Sequence, residues 1–259
     1  MISSDEECTH RNTTARHSSK MTLKLLPLPQ NEWQMYTRIC KAAFIPGILS
    51  VMYPEGYSDE AQEHALGTLL RTAERHPDRI QMMKVVDEAL PDDDLYQKVV
   101  GISQWKIFPR ERTEEEMKQE EEVSNREDKE CGSPPGLSEA VADDFGGATS
   151  EYKKKHLGNR PHVLLHILAT RPEHERRGVG AMSLAWGTQK ADEMGLPMYL
   201  EGGPKGVALY KKWGFEVVDV LPWDAQKHGY HDSLKHLCML RPARKSSWSR
   251  SHHTQTWQS

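Results

Sequence analysis

Between His162 and Val220 the chain runs through an apolar strand, a short polar turn, a glycine pair, a helix and a second strand. That order constrains the fold more than any other feature of the sequence. Val163 to Thr170 reads as the strand, and Arg171-Pro172-Glu173-His174-Glu175-Arg176-Arg177 leads into Gly178-Val179-Gly180-Ala181. A glycine has no Cβ, so the backbone at Gly178 and Gly180 can come close to a ligand. The first-turn N–H groups of the following helix have no partner inside it, and the helix dipole favours an anion there. With Arg176 and Arg177 alongside, the segment reads as a cradle for a phosphate or pyrophosphate.

Two well-known phosphate cradles fit it poorly. A Rossmann fingerprint needs G-x-G-x-x-G directly after a strand, with an acidic residue about 20 positions on. Gly178-Val179-Gly180 comes close and Glu201 stands at a plausible distance, but the strand ends well before Gly178. Too little chain follows for the remaining units of a doubly wound sheet. No P-loop pattern, G-x-x-x-x-G-K followed by Ser or Thr, occurs at all.

The segment instead resembles the GNAT family of N-acetyltransferases, and its general flavour is fungal-type. That family's cofactor motif is Gln or Arg, two residues, Gly, one residue, then Gly or Ala. Glu175-Arg176-Arg177-Gly178-Val179-Gly180 matches at the glycines and departs at Glu175. Met198-Tyr199-Leu200-Glu201 follows as the next strand. Leu209-Tyr210-Lys211-Lys212-Trp213-Gly214-Phe215 then matches the family's LYxxxGF helix-to-strand signature. The resemblance covers roughly the last third of the chain before its tail.

The resemblance implies an α/β fold, a mixed and mostly antiparallel sheet flanked by helices, with strand order following the chain. It implies acetyl-CoA as cosubstrate and an amine as acceptor. Backbone groups of Ile167, Leu168, Ala169 and Thr170 would hold pantetheine, and the amides of Arg176, Arg177, Gly178, Val179, Gly180 and Ala181 would take the pyrophosphate. Tyr210 would serve as general acid toward the leaving thiolate, or simply pack in the core beside Val207 and Trp213. Glu201 would be the general base, or an ordinary carboxylate at the end of a strand. His166 lies opposite Leu165 and Ile167 by period-two alternation. It is a candidate proton relay, though a merely polar position is the more common fate of such a histidine. A carboxylate at Glu175 repels a pyrophosphate unless it points away, which leaves room for a member that binds CoA without turnover.

The chemistry itself sets the requirements. An alkyl ammonium with a pKa near ~10.4 must lose a proton before it can attack, and a thiolate whose parent acid is near ~8.5 must be helped to leave. The tetrahedral oxyanion needs donors already in place. No cysteine stands beside the cradle, so direct transfer in a ternary complex is expected rather than an acetyl-cysteine. Small amines, polyamines, aminoglycoside-like compounds and protein amines all remain open as acceptors.

The rest of the chain is less specific. Net charge −4 gives no global case for nucleic acid or an anionic membrane. No apolar run approaches the ~20 residues of a membrane span, and Cys8, Cys40, Cys131 and Cys238 show no metal-ligand spacing. No metal is expected, and a cytoplasmic setting with free thiols is. Residues 1–20 read as a disordered leader without a secretory signal. Leu23 to Leu28 reads as a strand, and Asn31 as the cap of a helix through Trp33, Tyr36, Ile39 and Cys40. Phe44 to Tyr57, broken by Pro46, Gly47, Pro54 and Gly56, reads as a loop over a cleft. Ser58 should cap a helix over Asp59 to Arg75 with Ala61, Ala65, Leu69 and Ala73 on one side. Arg79 to Asp87 and Gln97 to Phe108 are the next strands, with Asp92-Asp93-Asp94 as a solvated hairpin tip.

A charged insertion is expected at about 109–160. Glu111 to Glu130 holds ten acidic and four basic residues, which predicts a mobile loop or a solvated helix. Leu137 to His156 reads as a helix across the substrate side. Gly214 to Trp223 and Ser233 to Leu240 read as the last strands. The whole domain should occupy 21–241, with 242–259 as a basic, disordered tail.

Overall fold

The computed structural model describes residues 22–244. The expected leader, Cys8 and most of the expected tail lie outside these residues. Seven strands form one sheet: β1 (Leu23–Pro27), β2 (Ile80–Asp87), β3 (Val99–Phe108), β4 (His162–Thr170), β5 (Met198–Gly202), β6 (Glu216–Val220) and β7 (Leu237–Arg241). Their spatial order is β1-β2-β3-β4-β5-β7-β6. Every neighbouring pair is antiparallel except β4–β5, which excludes a doubly wound parallel sheet.

Strand order follows the chain only as far as β5, a correction to the expectation above. The helix α7 (Val207–Lys212) carries the chain from β5 to β6, and β7 returns between them, antiparallel to both. Arg241 locks that return. It is a buried residue of β7, bound through both Nη atoms to Asp192 at 2.7 Å, with Nε donating to the Trp213 carbonyl. A buried guanidinium is tolerated because its partners are complete.

Helices cover both faces. On one side α6 (Val179–Met194) lays Leu184 and Ala191 on Trp105, Val163, Leu165, Met198 and Leu200. On the other, α1 (Gln34–Phe44) and α3 (Asp59–Arg75) pack over Met82, Ile102 and Ala169. Farther along that face, α5 (Glu139–His156) covers Leu164, Tyr199 and Cys238. The α6 helix sits close because position 187 has no side chain: a Cβ there would lie 2.2 Å from Trp105. Gly187→Ala is therefore expected to destabilise by about 1–3 kcal/mol through overpacking, despite a helix-propensity gain of about 1 kcal/mol. Urea unfolding measures it, and a variant as stable as the parent would refute this packing.

Local signals explain most helix starts. Ser58 Oγ accepts from the Ala61 amide at 3.1 Å, the cap expected for α3. Asn31 does not cap. A 3-10 turn at Gln30–Glu32 precedes α1, whose N-cap is Trp33. The Phe44–Tyr57 segment is not purely loop either, because Ile48–Met52 forms the short helix α2.

The acidic run becomes the helix α4 (Glu114–Cys131), the second of the two expected forms. Thr113 and Glu116 exchange side-chain and backbone hydrogen bonds at 3.1 and 2.8 Å, a capping box, and Glu114–Glu116 complement the dipole. It is tied down by Glu120 on Arg79 at 2.7 Å and Glu127 on Arg75 at 2.6 Å. No helix among the described residues is long and apolar enough to cross a membrane.

Candidate active site

The parallel neighbours β4 and β5 stay paired over two positions only, Val163 with Met198 and Leu164 with Tyr199. Beyond them β4 runs on to Thr170 beside β3 and β5 runs on to Gly202 beside β7, with no further pairing between the two. From Leu165 onward the edge of β4 that faces β5 therefore has no strand partner, and a gap opens in the sheet. Ile167, Leu168, Ala169 and Thr170 all lie along this edge. Free backbone groups on a splayed edge are what an extended amide-bearing chain can use.

The cradle stands where β4 ends. Pro172–His174 forms a 3-10 turn, Arg176 has φ 61° and Gly178, the N-cap of α6, has φ 92°. The last value suits glycine for conformational reasons, since a Cβ there would meet no atom within 4 Å. Gly180 serves contact instead: a Cβ would lie 3.0 Å from Leu209 on α7. The amides of Val179, Gly180 and Ala181, in the first turn of α6, have no acceptor within the helix.

The two cradle arginines behave differently. Arg177 donates to Asp87 Oδ2 and to His174 Nδ1, each at 2.6 Å, so its charge is already engaged. Arg176 is exposed and has no ion-pair partner among the described residues. Glu175 lies 3.7 Å from Lys205 Nζ, which offsets its charge from across the gap. Arg171 is buried against Tyr96, and its Nη1 donates to both oxygens of Asp94 at 3.1 Å. Asp94 is thus an anchor of the cradle and not part of a solvated tip, although Asp92 and Asp93 are exposed.

Around the gap, a β-bulge decides which side chains face where. Gln104 pairs with Ile167 and Trp105 with Leu165, so β4 has one residue too many, His166. Leu165 consequently packs with the α6 cluster and Ile167 with the α1–α3 cluster. The expected alternation across His166 fails for that reason. His166 and Glu201 stand two residues past the last paired positions, Leu164 and Tyr199, on opposite banks of the gap. Both take the side covered by α5.

Four further polar groups gather there that the sequence reading passed over. Gln104 and Lys106 lie on β3, Lys106 directly beside Leu164. Tyr199 precedes Glu201 on the same face of β5. Lys153 approaches from the last turn of α5, half-buried while Lys154 and Lys155 are exposed. A single lysine inside the apolar run of β3 was a readable signal; Lys153, one of three lysines in a row, was not.

The electrostatics follow from crowding. Burial and the nearby Lys153 and Arg79 pull Lys106 down to about 8. His166 is exposed to solvent, and the nearby Lys106 ammonium, with Lys153, holds it below the usual histidine range. Burial raises Glu201 above the ordinary carboxylate value, and Oε1 has no hydrogen-bond partner among the described residues. Such a carboxylate is a stronger base than one in water.

Tyr210 lies on the α6 side, its ring against the last residue of β5: a Cβ on Gly202 would be 3.1 Å away, and one on Gly206 2.9 Å from its hydroxyl. Burial pushes the phenol up to about 12. Glu201 and Tyr210 thus lie on opposite faces of the sheet. Among the described residues no group of acids, histidines and cysteines could hold a metal ion, and Cys40, Cys131 and Cys238 are free thiols.

Comparison with known proteins bears on the fold. Residues 102–215 match the model of the acetyltransferase (GNAT) family. Among solved structures, a polyamine N-acetyltransferase of Drosophila melanogaster has TM-score 0.55 at 11% identity, over 84% of this chain and 97% of that one. An arylalkylamine N-acetyltransferase 2 of Aedes aegypti gives 0.55 at 11%, over 86% and 99%. A histone acetyltransferase HPA2 and related acetyltransferase of Corynebacterium glutamicum gives 0.52 at 18%, over 88% and 99%. No curated protein matches the chain.

Proposed function

We propose, for a chain with the acetyltransferase (GNAT) fold whose residues 102–215 match that family, that it transfers acetyl from acetyl-CoA to a primary amine by direct attack. The observation that carries this reading is the parting of β4 and β5 after Leu164 and Tyr199, with a glycine-opened helix start at one end and His166 and Glu201 across the gap.

The parts divide the work by position. Backbone groups of Ile167 to Thr170 line the edge on which pantetheine lies, and the amides from Arg176 to Ala181 face its pyrophosphate. The amine arrives from the α5 side, where Glu201 takes its proton directly or through water, with neutral His166 as relay. The C–N bond forms as the C–S bond breaks, and the electron pair leaves on sulfur toward the α6 side, where Tyr210 donates a hydrogen bond. The rival of a CoA-holding protein without turnover rests on Glu175 and on an unassigned base; Glu175 has Lys205 Nζ 3.7 Å away, and Glu201 is the base proposed above.

Thermal unfolding with acetyl-CoA, with NAD and without ligand tests the reading. A ligand present at about 100 times its dissociation constant should stabilise by about 2.7 kcal/mol. Acetyl-CoA is expected to raise the Tm and NAD to leave it unchanged; the reverse would overturn the assignment.

A further inference from the structure

The side of the gap covered by α5 holds an unbalanced set of charges. Two ammonium groups, Lys106 and Lys153, share it with one carboxylate, Glu201, and among the described residues neither lysine has a carboxylate within ion-pair distance. Their neighbours elsewhere are satisfied: Lys155 binds Asp219 at 2.6 Å and Arg79 binds Glu120. Three buried oxygens on the same face, Glu201 Oε1, Gln104 Oε1 and the Tyr199 hydroxyl, also lack a hydrogen-bond partner among the described residues.

Leaving cations and acceptors unpaired at a half-enclosed wall costs several kcal/mol when nothing binds there. A single small molecule that carries both an amine and an anion meets both needs. Its amine is received by the Glu201 and Gln104 oxygens, beside the open edge of β4, and its anion by the two ammoniums. A plain amine or a polyamine would satisfy the oxygens but bring more positive charge to the lysines.

We infer that the acceptor is a small zwitterionic amine, an amine bearing a carboxylate or phosphate, whose anionic group docks between Lys106 on β3 and Lys153 on α5. This rests on the acetyltransferase reading above and narrows its acceptor class.

The test measures amine-dependent thiol release from acetyl-CoA with matched pairs. Glycine is set against glycinamide for the carboxylate arm, and phosphoethanolamine against ethanolamine for the phosphate arm, each corrected for its fraction of neutral amine. A charge-assisted contact worth about 1.5–3 kcal/mol predicts a kcat/KM at least ~10-fold higher for the anionic member of one arm. The ratio should fall toward one in the Lys106→Gln, Lys153→Gln double variant. Lys153→Gln alone, at a helix end, should lower it part of the way. Preference for the uncharged member in both arms overturns the inference and leaves the transferase reading standing. A preference that survives in the double variant, with its fold checked by urea unfolding, overturns the role of the lysines. Thiol release with none of the four amines, while acetyl-CoA still raises the Tm, overturns this inference and leaves the transferase reading standing for other classes of amine.

Discussion

Replacing Tyr210 by phenylalanine is expected to lower kcat by about 10²–10³-fold, the cost of removing one preorganised donor from a developing anion. Acetyl-CoA should stabilise the variant as it does the parent. The ring is what packs against Gly202 and Gly206, and phenylalanine keeps the ring. With a pKa pushed up to about 12, the phenol is a weaker acid than a thiol near ~8.5, so in the proposed step it is a hydrogen-bond donor that stays protonated. For the same reason Tyr210 should add no alkaline limb to the rate profile below about pH 10. Pre-steady-state thiol release measures the chemical step, and an unchanged rate in Tyr210→Phe would return this side chain to a purely packing role.

Glu201→Gln is the second large effect: a loss of about 10²–10⁴-fold in kcat, the usual contribution of a positioned base. Glutamine is nearly isosteric, and the buried oxygen it replaces has no hydrogen-bond partner to lose among the described residues. The pH profile supplies the sign. A working base must be unprotonated, so kcat/KM falls as pH drops through the pKa of Glu201. Burial has raised that pKa above 4.5, so the acid limb should lie above 4.5 in the parent and disappear in the variant. His166 sits well below the usual histidine range and so cannot produce a limb near 6.5. An acid limb that survives unchanged in Glu201→Gln would place the base elsewhere.

Much of this site was legible residue by residue. The strand ending at Thr170, the glycine at a positive φ and the tyrosine of the LYxxxGF signature are short-range patterns, each carried by residues a few positions apart. Ser58 was readable as a cap for the same reason, whereas the cap at Asn31 went to Trp33 because a 3-10 turn intervened. Asp94 was misread as a solvated tip because its partner, Arg171, is 77 positions away. Lys153 could not be read as part of the site because the Lys106 it approaches lies on another element, 47 positions away.

By itself the sequence determined most of the element types and the glycine-opened start of α6, because hydrophobic period, capping and glycine conformation act over one or two turns. Only the tertiary structure decided that β7 enters between β5 and β6, that the bulge at His166 turns Ile167 away from Leu165, and that two lysines face one carboxylate across a gap. These depend on strand register and on contacts between distant segments, where a slip of one residue moves every following side chain to the other face.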